Sequence, residues 1–133
     1  MSTSTSKSKS ASKSMFSNNP KYAILRSTAT PPSVPLPVDT LLQEELNAGK
    51  DSIGYHYYIR RDGSLSAHRP LHQRGNHTPG YNRCSVAILY EGGLDHDMLP
   101  CYTMTMQQSA RLKQLLDWLK TIYPWIEFKQ IED

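Results

Sequence analysis

The run Cys84-Ser85-Val86-Ala87-Ile88-Leu89-Tyr90 limits the possible folds more than any other segment. It is apolar at odd and even positions alike, so a strand built from it buries both faces. Such a strand belongs in the middle of a sheet covered on both sides, and Gly92-Gly93 ends it. Around it the chain offers the other layers. Tyr22-Ala23-Ile24-Leu25 reads as a short buried strand. Val38, Leu41, Leu42 and Leu46 recur at helical spacing, with Gly49 as a stop. Tyr55 to Arg60 and Ser64 to His68 read as strands joined by Asp62-Gly63, a pair suited to a two-residue type I′ turn. Thr105 and Gln108 have the spacing of a capping box. The stripe Leu112, Leu115, Leu116, Leu119, Ile122 then predicts a helix that Pro124 terminates. Ile126 to Lys129 completes the set as a last strand. The order β, α, hairpin, β, α, β predicts an α/β fold: a mixed central β-sheet flanked by helices. Thr30 to Pro37 carries four prolines and is a loop.

The 133 residues suit one domain. Residues 1–19 are rich in Ser, Thr and Lys and are expected to form a disordered tail. Its removal should then change stability by less than roughly 0.5 kcal/mol. The domain proper is placed at 20–133. The net charge of +3 resides in Lys7, Lys9 and Lys13, and the remaining 12 basic residues match the 12 acidic ones. A neutral domain argues against a nucleic-acid partner. No segment has the ~20 apolar residues of a membrane helix, and no hydrophobic segment follows the N-terminal charges as in a secretory signal. The chain is therefore expected to be cytoplasmic as synthesised, with no membrane partner. Cys84 and Cys101 are too few for a disulfide scaffold and read as reduced thiols, Cys84 at a buried strand start.

Five histidines raise the question of a metal: His56, His68, His72, His77 and His96. With Asp62-Gly63 as a two-residue turn, Tyr57 faces His68 and His56 faces Arg69, so His56 and His68 point to opposite faces. No HExxH or paired CxxC spacing is present. There is no GxSxG nucleophile elbow and no phosphate loop. The loop Gly75-Asn76-His77-Thr78-Pro79-Gly80-Tyr81-Asn82 gathers an imidazole, amides, a hydroxyl and a phenol. That mixture suits a polar glycopeptide ligand, and it equally suits an ordinary polar loop.

The run Ile53-Gly54-Tyr55-His56-Tyr57-Tyr58-Ile59-Arg60-Arg61-Asp62-Gly63, then Gly80-Tyr81-Asn82 and Ser85-Val86-Ala87-Ile88, resembles the phage-lysozyme type of N-acetylmuramoyl-L-alanine amidase, whose fold is shared with peptidoglycan-recognition proteins. The resemblance runs from about Lys21 onward. It implies cleavage of the amide between N-acetylmuramic acid and L-alanine by a bound zinc. It puts Tyr55 on the family's catalytic-site tyrosine, and His77, Tyr81 and Asn82 in the loop beside the substrate groove. It also implies a zinc-ligating His where this chain has Arg26, a second near Ile131, and a third ligand several residues further on. A cation at Arg26 repels a metal and suits a carboxylate or phosphate, unless it simply points to solvent. The sequence therefore points to an amidase-like domain with no zinc cofactor and no catalysis, holding peptidoglycan or a muropeptide through Arg26, His77, Tyr81 and Asn82. Two other readings stay open. One is a working amidase with a rearranged or completed metal site. The other is an intracellular regulator that sequesters a small anionic ligand or binds a host protein. A phage or prophage origin would fit all three.

Overall fold

The computed structural model describes residues 17–132. Its elements are β1 (Tyr22–Ser27), α1 (Val38–Asn47), β2 (Tyr57–Ile59), β3 (Leu65–Ala67), β4 (Ser85–Tyr90), α2 (Met106–Ile122) and β5 (Glu127–Gln130). They form one five-stranded sheet in the order β3-β2-β4-β1-β5. β1 lies parallel to both β4 and β5, β2 is parallel to β4, and only β3 runs antiparallel to its neighbour. The expected α/β architecture and element order are what the structure has.

All six residues of β4 are buried, as their unbroken apolar pattern requires. One face packs on α2 through Ala23, Leu25, Val86, Ile88, Leu112, Leu115 and Leu119. The opposite face packs Tyr58 and Leu89 against Leu36, Leu41 and Ile53 around α1. Only Leu41 of α1 is buried in the core, while Leu42 and Leu46 stay exposed. The helix covers a narrow strip and leaves the rest of that face to loops. Its end is a Schellman motif, with Gly49 N–H bonded to Leu46 O and Lys50 N–H to Glu45 O.

α2 begins with the expected capping box. Thr105 Oγ1 accepts from Gln108 N–H, and Gln108 Oε1 accepts from Thr105 N–H. The Gln108 amide also donates to Ile59 O and Glu91 O, so one buried side chain caps the helix and pins it to two strands. Glu91 is another buried polar group that the sequence pattern did not single out. Its carboxylate accepts from Leu36 N–H, Arg61 N–H and the Arg60 guanidinium. Burial alone would raise the Glu91 carboxyl, but these donors hold it below its ordinary value.

Three expectations are corrected. The hairpin loop has three residues, Arg61 to Gly63. Gly63 N–H bonds Arg60 O and Arg60 N–H bonds Ser64 O, and only Gly63 has positive φ, at 87°. This is a type I turn followed by a left-handed glycine. The extra loop residue shifts the register by one: Tyr57 pairs with Ala67, and His68 N–H bonds His56 O. The argument that His56 and His68 face apart therefore fails. Cys84 is half-buried rather than buried, and β4 starts one residue later, at Ser85. Finally, Ser17 to Asn19 are part of the fold. The Asn18 amide donates to Leu71 O and Ser85 O, and its oxygen accepts from Ser85 N–H. Residues 1–16, the rest of the expected tail, lie outside the described residues.

Candidate functional site

β1 alternates its side chains, so Ala23 and Leu25 enter the α2 core while Arg26 emerges on the other face near the strand's C-terminal end. The loop between β3 and β4 crosses that face. Arg26 Nη1 donates to His77 O at 3.1 Å and to Thr78 Oγ1 at 3.0 Å. The loop comes this close because Gly54 lets it: a Cβ at Gly54 would lie 1.9 Å from Asn76 O.

The hydrogen bonds around His77 have a fixed direction. A guanidinium only donates, so Thr78 Oγ1 accepts from Arg26, and it stands 2.9 Å from His77 Nδ1. Ser85 Oγ donates to Tyr81 O at 2.7 Å, which leaves its lone pairs for His77 Nε2 at 3.3 Å. In the neutral ring the Ser85 contact selects the tautomer protonated at Nε2, and Nδ1 then accepts from Thr78 Oγ1. Burial, reinforced by the charges of His56, Arg26, Lys50 and Arg69, pushes His77 down to about 3. His77 is an internal brace whose two ring nitrogens both serve the fold. Thr78 stood in the sequence only as the hydroxyl of the polar loop, and Ser85, read only as a strand residue, was missed as a member of the brace. A lone serine opening an otherwise apolar strand was the signal available.

The other sequence-predicted site residues divide. Tyr55 joins Arg26 and His77: its ring centroid lies 5.5 Å from that of His77 at a 30° tilt. Among the described residues the Tyr55 hydroxyl has no hydrogen-bond partner. Burial raises its phenol, against the lowering effect of Arg26, so it is a hydrogen-bond donor rather than a phenolate. Asn82 spends its side-chain oxygen on the N–H groups of His77 and Thr78, which shapes the loop. Tyr81 stands edge-on to Tyr22 at 5.6 Å, at the start of β1, away from the strand end that carries Arg26. His56 is fully buried, with Nδ1 accepting from Ala87 N–H and Nε2 against Gln73 O.

At the strand ends lies a cleft of about 230 Å³, lined by Arg26, Ser27, Tyr90, Tyr102, Gln130 and Ile131 among others. Arg26 and Ile131, the two positions where the resemblance implies histidines, share this cleft. The side chains there are a guanidinium and an alkyl group, which do not fit a zinc ion. Among the described residues no three His, Cys, Asp or Glu side chains stand together as a metal-binding group.

The profile of the N-acetylmuramoyl-L-alanine amidase family matches residues 13–131. The chain belongs to that family. It is 35% identical over 97 residues to the endolysin of Enterobacteria phage K11, covering 73% of this chain and 64% of that protein. It is 33% identical over 96 residues to the endolysin of Escherichia phage T7, covering 72% and 64%. The chain thus spans about 64% of the length of these curated relatives. Among solved structures, the N-acetylmuramoyl-L-alanine amidase LysCS from Clostridium intestinale superposes with a TM-score of 0.71 at 28% identity, over 86% of this chain and 72% of that one. Bumblebee PGRP-SA shares the fold, with a TM-score of 0.67 at 21% identity over 87% and 73% of the two chains. The domain is an amidase-like domain with the fold of the peptidoglycan-recognition proteins. No helix among the described residues is long and apolar enough to cross a membrane.

Proposed function

We propose that this amidase-like domain binds peptidoglycan fragments in the cleft at the ends of β1 and β5 and does not hydrolyse them. The observation that carries this reading is Arg26. Its guanidinium stands at the end of β1, braced against His77 O and Thr78 Oγ1, in the same cleft as Ile131. A fixed cation favours the carboxylates of a glycopeptide and disfavours a metal. The exposed ring of Tyr102 offers a stacking surface at the cleft mouth. His77 and Asn82 hold the loop that fixes Arg26 and are shaping residues in this reading. The phage endolysins among the relatives support a phage origin.

The test combines metal content with binding. Protein purified without chelator is expected to carry no stoichiometric zinc, to bind muropeptides by calorimetry, and to leave their amide bonds intact. Arg26→Ala should weaken binding by roughly 1.5–3 kcal/mol, the value of a charge-assisted hydrogen bond. One zinc per chain together with amide cleavage would overturn the reading in favour of a working amidase. Binding of small phosphorylated metabolites alone would replace glycopeptide by a sequestered anion.

A further inference from the structure

The outer edge of the sheet at β5 has no strand beside it among the described residues. Glu127 N–H bonds Lys21 O and Ile131 N–H bonds Leu25 O, so these residues turn their backbone groups towards β1. By the alternation of a strand, Phe128 and Gln130 turn theirs outward. Phe128 is 46% exposed and borders a cleft of about 310 Å³ with Tyr102, Leu112 and Leu116. An open edge with an exposed aromatic ring invites another strand. Charged residues commonly block such edges, but here they come as one acid and one base on either side of the ring.

We propose that β5 pairs antiparallel with β5 of a second copy, about a two-fold axis at Phe128, to form a ten-stranded sheet. Hydrogen-bonded pairs must join residues whose backbone groups face outward, which restricts the possible registers. Phe128 opposite Phe128 places Glu127 opposite Lys129 of the second copy, and the symmetry repeats that pair. The smallest slip that keeps the bonding moves the strands by two residues. It sets Lys129 opposite Lys129 in one direction and Glu127 opposite Glu127 in the other. Like charges directly opposite each other are unfavourable, so charge selects the symmetric register. The edge is thus its own complement, as an isologous interface requires. Glu127 and Lys129 fall on the face of Tyr22, where Lys129 Nζ already stands 5.1 Å over the Tyr22 ring. Phe128 falls on the α2 face, where its counterpart would cover the cleft beside Leu116. Four residues per strand make this a weak association.

Sedimentation of the whole chain over a dilution series tests the pairing. The wild type is expected to pass from monomer to dimer as concentration rises. Glu127→Lys and Lys129→Glu should each raise the dimer dissociation constant on the order of tenfold, because each turns two attractive pairs into repulsive ones. The double exchange Glu127→Lys with Lys129→Glu should restore association, and circular dichroism should show all variants folded. A wild type that stays monomeric into the millimolar range would overturn the proposal. So would a dimer indifferent to the single changes, or a double exchange that fails to restore it.

Discussion

His77 sits between a donor that cannot accept and a carbonyl that cannot donate, and Thr78 and Ser85 pass that polarity to its two nitrogens. Burial and the neighbouring cations keep the ring neutral in the folded protein. The unfolded chain would take up its proton near pH 6.5, whereas the folded site resists down to about 3. A group whose folded value is depressed stabilises the fold fully above the unfolded value and less as pH falls below it. Stability should thus be level above about pH 6.5 and decline on acidification, with His77 alone worth on the order of 2 kcal/mol by pH 5. His56 is lowered by burial as well and adds in the same direction. Urea midpoints from pH 5 to 8 check this, and the His77→Gln variant should flatten the slope. Asn18 makes a second prediction at this scale. Its amide supplies the strand-like partner that Ser85 would otherwise lack. Asn18→Ala should cost about 2 kcal/mol in unfolding free energy, since it orphans one amide and two carbonyls. The sequence reading treated this residue as tail because composition gives no hint that a single amide docks.

Elements were more legible than the contacts between them. The unbroken apolar run of β4, the leucine stripe of α2 and the Thr105 to Gln108 spacing each announce a local structure, and each formed. The hairpin register did not follow, because Asp62-Gly63 fits two loop lengths and only the closing bond between Arg60 and Ser64 separates them. Gln108 shows the same limit. Its place in the capping box is visible at a spacing of three, while its bonds to Ile59 O and Glu91 O span 49 and 17 residues. The two roles can be measured apart. Thr105→Ala should remove the cap together with the Thr105 Oγ1 bond to Arg61 O, at about 1–2 kcal/mol. Gln108→Ala should remove cap and cross-links and open a cavity, at roughly 2–3 kcal/mol. Equal losses in urea unfolding would show that the Gln108 bonds to Ile59 O and Glu91 O add no more than the single Thr105 bond to Arg61 O.

At the scale of the molecule, family and fold were both readable, because the segment from Gly54 to Gly93 carries the resemblance and also builds the sheet centre. The site was half readable. Arg26 lies near enough to Tyr55 to lower its phenol electrostatically, and Ile131 shares the cleft with Arg26. Tyr81 and Asn82 turned out to serve packing and loop shape, a distinction that needs three-dimensional partners and is not encoded in residue type. The strand order β3-β2-β4-β1-β5 has one more consequence. β1 ends between two strands that both follow it in the chain, with Tyr22 paired to Ser85 on one side and Glu127 on the other. β1 must wait, unpaired and apolar, until β4 has been made, and its second edge waits for β5. Closing such distant contacts is slow. During synthesis this segment is therefore the natural target of chaperones, and of misfolding when they are short.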